Sequence, residues 1–213
     1  MSSDVNRAYR SPRRAEAARQ TRQLIRDAAF RLFVEQGITV TTMRQIAAEA
    51  GVAERTVYTA FPSKIALFHE VMDIRTVGDE LPVPVSDRAE FTASQSEPDP
   101  HEAVRQFVDF GCALLERVGD LIMAAIESSG ADPDMREWST RASDETSKNI
   151  NAVAQAWKDA GFLRDDLTAD EAGAAMYALS SPHVHHLLRR RQGWSVERYR
   201  TWVITTITTT MLS

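Results

Sequence analysis

Apolar residues early in the chain recur at steps of three and four, which is the period of an amphipathic helix with one buried face. The pattern starts after Thr21, whose hydroxyl can cap a helix, and ends before Gly37, which favours a helix stop. Its apolar positions are Leu24, Ile25, Ala28, Ala29, Leu32 and Phe33. The sequence therefore predicts a first helix over about residues 21–36.

A shorter helix is predicted next along the chain. Thr42 and Gln45 stand three residues apart in the form of a capping box, and Gly51 supplies a C-terminal stop. This pattern predicts a helix over residues 43–50. Two further helices are predicted beyond it, over residues 54–61 and 64–77.

The rest of the chain divides into one irregular segment and a series of helical ones. Residues 78–100 hold four of the eight prolines and show no sustained period, which predicts a long loop or linker. Pro182 is expected to bend or break a later helix. The later predicted helices cover residues 101–117, 120–129, 133–160, 168–191 and 195–212. Because no segment alternates with a period of two, we predict an all-α protein.

The segment 41–61 satisfies three spacing requirements of a helix-turn-helix. Ala47 is small enough for close helix crossing, and Gly51, four positions later, tolerates a left-handed turn. Val57, six positions further on, can anchor the second helix. Three more apolar residues complete a small core: Ile46, Val52 and Phe61. We therefore predict a three-helix helix-turn-helix domain followed by a larger C-terminal helical domain.

Charge is divided unevenly along the chain. Residues 1–64 contain eleven Lys and Arg against six Asp and Glu, a net charge of +5, whereas residues 65–213 carry −10. A basic end on an acidic body is expected where that end binds a polyanion, although charge alone is equally compatible with chance clustering. We predict a flexible basic arm, a helix-turn-helix DNA-binding domain and a helical ligand-binding and dimerisation domain, over residues 1–15, 16–64 and 65–213.

The second helix of the motif sorts its residues between two faces. Val57 and Phe61 point inward by their spacing, whereas Arg55 points outward, where a recognition helix reaches base edges in the major groove. The amides at the start of the first short helix and the charge of Lys64 can bind phosphates. From their positions in the helix-turn-helix and at the start of the next helix, we predict that these residues contact DNA: Thr41, Thr42, Glu54, Arg55, Thr56, Thr59 and Lys64. The alternative is an ordinary αα-corner with solvated charges.

Residues 21–68 resemble the DNA-binding domain of the TetR family of transcriptional regulators. TRQLIRDAAFRLFVEQGI is similar to the first helix of that family, TTMRQIAAEAGVAERTVYTAF to its helix-turn-helix, and FPSKIALF to the start of its fourth helix. The resemblance implies a helical effector-binding domain and a homodimer paired through residues 168–191 and 195–212. It also implies release from a palindromic operator on double-stranded DNA when a small molecule binds.

The resemblance implies positions of DNA contact as well. Tyr58 would give its hydroxyl to a phosphate. Ala53 departs from the family's frequent capping Ser, which leaves the second helix of the motif without a side-chain N-cap. Carried over position by position, the implied contacts are Thr42, Arg44, Arg55, Thr56, Tyr58, Thr59 and Lys64.

Large apolar residues on the middle helices are candidates for an effector pocket, although such residues more often form plain core. The candidates are Phe107, Phe110, Leu114, Met123, Trp138, Trp157 and Tyr177. They suit an apolar or aromatic effector. The last two helices have broad apolar faces, which can pair about a two-fold axis or be buried inside the monomer.

Several other classes of site lack their residues. A single Cys112 excludes an internal disulfide, and His183, His185 and His186 lack partners for a tetrahedral metal site. Without a nucleophile elbow or phosphate loop we predict no enzyme, no cofactor and no metal. No apolar run approaches the roughly 20 residues that cross a bilayer, and no secretory signal is present, so we expect a cytoplasmic protein. Two alternatives stay open: a ligand-independent DNA-binding activator or architectural protein, and an all-α enzyme.

Overall fold

The computed structural model describes residues 4–77 and 88–213, with side chains for residues 14–76 and from residue 88 onward. These ranges are helical apart from their connections and an isolated β-bridge between Leu163 and Leu212. The helices are α1 (Asp4–Gln36), α2 (Met43–Ala50), α3 (Glu54–Ala60), α4 (Lys64–Val77), α5 (Ala89–Ser96), α6 (Pro100–Ser128), α7 (Pro133–Asp159), α8 (Ala169–Leu179), α9 (Pro182–His185) and α10 (Val196–Met211), with a π-helical segment at His186–Arg191. The predicted all-α fold is confirmed.

The first compact unit of the chain is Met1–Asp73. Its core forms where apolar residues of α1 to α4 meet, and the rings of Phe33 and Phe68 pack edge to face with centroids 6.3 Å apart. The unit extends past the expected boundary at residue 64 because part of α4 belongs to this core. The α4 residues buried there are Leu67, Phe68, Val71 and Met72.

The first helix is longer than the sequence pattern indicates. It begins at Asp4 rather than near residue 21, so the segment predicted as an arm has helical backbone from residue 4 onward. The first three residues of that arm lie outside the described residues. Residues 14–20 are all exposed, so this part of α1 buries no apolar stripe that periodicity can detect.

In the second compact unit, Ile74–Ser213, the segment 78–100 contains a helix that we predicted to be loop. This helix, α5, buries Phe91 and Ser94. Its stability therefore comes from packing against its neighbours and not from a regular apolar period. Residues 78–87 of the predicted loop lie outside the described residues.

The two helices predicted over residues 101–117 and 120–129 are one helix, α6. Gly119 lies near the expected break, yet it continues the helix. A Cβ atom at this position would lie 3.3 Å from Nδ1 of His185, so the glycine lets the imidazole pack against the helix backbone. Tertiary packing therefore explains a glycine that the sequence pattern suggests as a breaker.

Pro182 interrupts the penultimate helical region, as predicted. The α8 helix ends at Leu179, and α9 starts at Pro182 with Ser181 as its N-cap. A π-helical segment follows, in which the Gln192 amide donates to the Leu187 carbonyl five residues earlier. The hydrogen bond here therefore spans one residue more than the bonds of an α-helix do.

The apolar faces of the last helices contribute to the core of the second unit. Their fully or nearly fully buried residues are Ala172, Met176, Tyr199, Val203, Ile207 and Met211. These residues are therefore buried within the chain, and pairing of the remaining apolar surface about a two-fold axis stays a prediction. Among the described residues of the second unit, the exposed large apolar side chains are those of Leu187 and Val196, at 52% and 38%.

Candidate nucleic-acid interface

The α2 helix starts at the predicted capping box. The Thr42 hydroxyl accepts the Gln45 amide at 3.2 Å, and the Thr42 amide donates to Gln45 Oε1 at 2.8 Å. The helix ends at Gly51, which has a left-handed backbone with φ 67° and ψ 30°. The Val52 amide then closes the turn on the Ala47 carbonyl at 3.0 Å. The capping box and the glycine turn are therefore both present as predicted.

The small core of the motif is also present. Ala47 is 3% exposed, which allows the close helix approach that its size predicts. The other core positions, Ile46, Val57 and Phe61, are buried, while Val52 is half-buried. Because residue 53 is an alanine, α3 begins without a side-chain cap, as expected from the sequence. These contacts fix the direction in which α3 presents its outer face.

The outer face of α3 carries most of the predicted contact residues. Tyr58 is 51% exposed, and the Thr59 hydroxyl donates to the Arg55 carbonyl at 2.8 Å, which holds that side chain on the helix. Thr56 is half-buried, whereas the other predicted residues of α2, its cap and α3 are exposed: Thr42, Arg44, Glu54, Arg55, Tyr58 and Thr59. The arrangement suits recognition of a groove, and each individual DNA contact stays a prediction.

The side chain of Thr41 lies inside the unit, and the phosphate contact expected of the amides at this position stays a prediction. It is 1% exposed, and its hydroxyl donates to the Gly37 carbonyl at 2.7 Å. Its oxygen also accepts from Nε2 of Gln36 at 3.2 Å. The hydroxyl is needed there because the carbonyls that end α1 would otherwise be buried without a donor.

The ammonium of Lys64 donates into the turn before α2, and its expected contact with the DNA backbone stays a prediction. This ammonium donates to the carbonyls of Ile38, Thr39 and Thr41 at 2.7, 3.1 and 3.0 Å. A lysine ammonium has three N–H donors, so these three acceptors match its whole capacity. Within the described part of the chain, the residue joins the start of α4 to the turn between α1 and α2.

A second anchor, which no sequence motif indicates, holds the end of α3. Arg22 donates to the Ala60 carbonyl at 2.7 Å and to Glu70 at 2.6 Å, and its guanidinium lies 4.1 Å from the centre of the Phe61 ring. Burial raises the pKa of Glu70, but the hydrogen bonds from Arg22 and Arg26 outweigh burial and lower it. This anchor joins residues up to 48 positions apart, which no short motif encodes.

The candidate effector residues mostly belong to the packed core of the second unit. Trp157 is fully buried, donates from Nε1 to the Ser94 carbonyl at 2.8 Å and meets Phe107 edge to face at 5.8 Å. Phe110 packs similarly against Phe91. The remaining candidates are half-buried: Leu114, Met123, Trp138 and Tyr177. Their contact with an effector stays a prediction.

Two surface grooves lie on the second unit. One, of about 490 Å³, follows the outer side of α7 from Pro133 to Glu145. The other, of about 460 Å³, lies along α10 beside Trp194 and Trp202. None of the seven candidate effector residues lines either groove.

An ionic cluster joins α6 to the region of α9 and the π-helical segment. His185 is 1% exposed, and its Nε2 lies 2.8 Å from Oε1 of Glu116, which also accepts from Nε of Arg189 at 2.6 Å. The hydrogen bond from Arg189, joined by that from His185, lowers the pKa of Glu116 to about 2. Burial lowers the pKa of His185 despite the nearby carboxylate. The imidazole is therefore neutral at pH 7 and serves a structural role.

The other groups considered for chemistry have structural explanations. His183 is exposed, and no group of His, Cys, Asp and Glu suitable for a metal ion occurs in the described part of the chain. Burial raises the pKa of the Cys112 thiol to about 12, which makes it unreactive at neutral pH. No helix of the described ranges combines the length and the apolarity that crossing a membrane requires.

Comparison with known proteins agrees with this geometry. A family model described as bacterial regulatory proteins of the tetR family matches residues 25–71. The HTH-type transcriptional regulator TtgR of Pseudomonas putida is 29% identical over 186 residues, which cover 84% of this chain and 83% of TtgR. The regulator AcrR of Shigella flexneri is 41% identical over 59 residues. These residues cover 28% of this chain and 27% of AcrR.

Solved structures show the same fold over nearly the whole chain. NalD, the secondary repressor of the MexAB-OprM multidrug efflux pump in Pseudomonas aeruginosa, superposes with a TM-score of 0.70 at 22% identity and covers 92% of this chain and 98% of its own. A transcriptional regulator from Saccharomonospora viridis in complex with choline gives 0.70 at 21% identity, over 93% and 99% of the two chains. The family model, the alignment with TtgR and the shared fold agree with the helix-turn-helix derived above. Over residues 25–71 the chain is similar to the bacterial regulatory proteins of the tetR family, and it is a DNA-binding transcriptional regulator.

Proposed function

We propose that the protein is a cytoplasmic, homodimeric repressor that binds a palindromic operator and is released by a small apolar or aromatic effector. The observation that carries this proposal is the fixed outer face of α3, where exposed polar residues follow a left-handed glycine turn. The alignment with TtgR over 84% of the chain supports an effector-responsive regulator, since it extends well beyond the DNA-binding unit.

On the DNA side, the exposed residues have separable roles. Arg55 can pair bidentately with a guanine, whereas the Tyr58 hydroxyl suits a phosphate. Thr56 and Thr59 can place methyl groups against thymine methyls. Two copies of α3 in a dimer would read half-sites about 34–36 Å apart, which is one turn of the duplex.

On the effector side, NalD regulates a multidrug efflux pump and the Saccharomonospora viridis protein binds choline, and both share this fold. These two proteins support a small-molecule effector without identifying it. The half-buried candidates, such as Met123 and Tyr177, are the side chains that can rearrange to admit a ligand. Release requires that the effector bind the state without DNA more tightly, because equal binding to both states shifts nothing.

For the dimer, the available surface lies on the outer side of the last helices, since their inner apolar faces are buried. The groove along α10 combines Trp194 and Trp202 with Arg198, whose guanidinium lies 4.1 Å from the centre of the Trp194 ring. The exposed Leu187 and Val196 belong to the same stretch of sequence. Aromatic residues and arginine are enriched at protein interfaces, so we place the dimer contact on this side.

The experiment that tests the proposal is fluorescence anisotropy of the protein on DNA from its own promoter region, against scrambled DNA, at several salt concentrations. We expect specific binding with two chains per site and a screen on this assay to find a compound that lowers affinity. Arg55→Ala should reduce discrimination between sequences, with each lost bidentate contact worth about 1–3 kcal/mol. Arg141→Ala, on the exposed face of α7, is the matched control and should leave discrimination unchanged. Binding that is indifferent to sequence, or that keeps its affinity with a proven ligand bound, would contradict the proposal.

A second candidate is a regulator that binds DNA without an effector. This candidate is favoured by the full burial of Trp157 and by the shallow form of the grooves along α7 and α10. Heat denaturation of the purified protein with a library of apolar and aromatic compounds separates the two candidates. A stabilising compound that also releases DNA supports the repressor, whereas operator binding that no compound alters supports the second candidate.

A further inference from the structure

We propose that Lys64 is a positioning residue of the DNA interface and does not itself bind phosphate. It fixes the turn of residues 37–42 so that Val40, at the outside of this turn, contacts the DNA. The inference rests on the DNA-binding role of the family and concerns residues that neither the helix-turn-helix spacing nor the family resemblance assigns to positioning.

The first step is the geometry of the ammonium. Lys64 donates to three consecutive or near-consecutive carbonyls, those of Ile38, Thr39 and Thr41, all between 2.7 and 3.1 Å. Hydrogen bonds from a charged donor are stronger than neutral ones. To reach a phosphate, the ammonium would leave three turn carbonyls without this donor. The lysine is therefore more stable inside the turn than on the DNA.

The second step is that the turn is held from its inner side at several points. Gly37 has φ +92°, and its amide bonds to the Phe33 carbonyl at 3.1 Å. Ile38 and Thr41 are each 1% exposed, and the Thr41 hydroxyl donates back to the Gly37 carbonyl at 2.7 Å. With both sides of the turn fixed, the position of residue 40 is defined by the backbone alone.

The third step is what the turn presents. Val40 is 60% exposed, the most exposed of the large apolar residues in the described part of the chain. It lies two residues before Thr42, the cap of α2, and four before Arg44, both exposed. A rigid apolar side chain beside these groups suits contact with a deoxyribose or a thymine methyl. A turn secured in this way is a pre-organised part of the DNA-binding surface.

Salt dependence separates positioning from direct contact. Each phosphate contact adds about 0.9 to the slope of log affinity against log salt. If Lys64 bound phosphate, Lys64→Met would lower that slope by one contact for each chain bound and Lys64→Arg would keep it. Positioning predicts instead that both variants lose at least tenfold in affinity with the slope unchanged, because neither replacement reproduces a compact ammonium among three carbonyls. Positioning also predicts a lower melting temperature for both variants without DNA, which a phosphate contact would not produce.

Val40 gives a test that leaves the fold alone. Val40→Asp should weaken DNA binding at least tenfold with an unchanged melting temperature, because the side chain is exposed. Leu24→Asp is the matched control, since Leu24 is a 52% exposed apolar residue of the same unit and receives the same charge. Equal losses in the two variants would overturn the contact at Val40.

The measurements use the full-length protein on operator DNA and on nonspecific duplex DNA at low salt. Binding to nonspecific DNA depends mainly on phosphate contacts, so the salt-slope test of Lys64 can be made even where no operator or effector is found. A lower slope for Lys64→Met, together with wild-type behaviour of Lys64→Arg, would overturn the positioning role. Failure to find an effector would count against the proposed repressor and not against this inference.

Discussion

The two units of the chain satisfy their internal polar groups in different ways. In the DNA-binding unit, Lys64 binds backbone carbonyls of a single turn, 23 to 26 residues away along the chain. In the C-terminal unit, Glu116 pairs with Arg189 and His185, which are 73 and 69 residues away. In the first unit charge thus fixes the path of a turn as well as pairing Arg22 of α1 with Glu70 of α4, whereas in the second unit it joins helices that are more remote in sequence.

This difference indicates which changes each unit tolerates. A unit whose geometry depends on backbone conformation is sensitive to substitutions that alter φ or a hydrogen-bonded carbonyl. A unit that depends on packing between remote helices is sensitive to changes of volume and charge. The distinction suits the two tasks, since a DNA reader must hold fixed positions and an effector domain must change its packing when a ligand binds.

The positions of the tryptophans make the comparison measurable. All four, Trp138, Trp157, Trp194 and Trp202, lie in the C-terminal unit. Tryptophan emission during denaturation therefore reports on that unit, while DNA binding reports on the other and far-ultraviolet ellipticity reports on both.

The largest expected effect is that of Trp157→Ala. Removing a fully buried Trp from a packed core costs about 3–5 kcal/mol, and here the Ser94 carbonyl also loses its donor. We expect the emission transition of the remaining tryptophans to move to clearly lower denaturant. Trp138→Ala, at a half-buried position away from the proposed dimer contact, is the control and should cost less. Equal and small losses in both variants would show that the core of the C-terminal unit is not organised around Trp157.

Gly51→Val tests the dependence of the first unit on its backbone. A β-branched residue at φ 67° is strained by about 1–3 kcal/mol, so we expect loss of DNA binding and early loss of ellipticity. Gly51→Asn is the control, because Asn tolerates the left-handed region and should keep most of the binding. Wild-type DNA binding by Gly51→Val would contradict the backbone argument. A parallel shift of tryptophan emission would show that the two units unfold as one cooperative body.

Gly173→Ala tests the dependence of the second unit on close packing. A Cβ atom at Gly173 would lie 3.3 Å from the Cα of Asn151 and closer still to its side chain, so α7 and α8 must separate slightly. Overpacking of this kind costs about 1–3 kcal/mol. Gly111→Ala is the control, since no atom lies within 4 Å of its added Cβ and the gain in helix propensity is up to about 1 kcal/mol. We expect the midpoint of urea denaturation, monitored by tryptophan emission, to fall for Gly173→Ala and to rise for Gly111→Ala.

The smallest expected effect is a pH dependence that only the second unit should show. The pKa of His185 is lowered from 6.5 by burial, so the folded state resists protonation more than the unfolded state. Its contribution to the free energy of unfolding is therefore complete above pH 6.5 and is lost as the pH falls toward the folded pKa. The full contribution is about 1.4 kcal/mol for each unit by which the folded pKa lies below the unfolded pKa. The groups around the imidazole are Glu116 of α6, Arg189 and Arg190, and the Tyr199 ring of α10.

Emission-detected denaturation between pH 7 and pH 5 checks this expectation. Because the Glu116 pKa is about 2, that carboxylate stays ionised throughout the window. His185→Gln should flatten the pH dependence, and His183→Gln, at an exposed position, should not. An equal slope in the wild type and in His185→Gln would assign the dependence to another group.

The sequence predicts more structural detail in the first unit than in the second, for a physical reason. The features of the helix-turn-helix, such as the Thr42 and Gln45 capping box and Gly51, interact within a few residues, so spacing alone identifies them. Spacing predicts that Thr41 and Lys64 lie near the DNA surface, but it does not show the direction in which their side chains point. The buried polar groups of the turn decide that orientation, and only tertiary structure brings them together.

In the C-terminal unit the sequence predicts helices better than it predicts the site. Gly161, Pro182 and Gly193 delimit helices as expected, whereas α5 has no clear apolar period and was missed. The aromatic residues chosen for a pocket include Trp157, which periodicity cannot distinguish from a ligand contact because core and pocket use the same side chains. The cluster of Glu116 with His185 depends on two helices about 70 residues apart and has no local signature.

The π-helical segment at His186–Arg191 has a consequence for how related proteins can diverge. Loss of one residue there can be absorbed by a return to ordinary α-helical hydrogen bonding, which leaves the orientation of the residues beyond the segment unchanged. Only the arginines inside the segment would then face different neighbours, although no residue type elsewhere had changed. In an alignment such an event would be a one-residue gap. Insertions and deletions in this segment are therefore a route by which the lineage can change the charge pattern of its effector domain without altering the DNA reader.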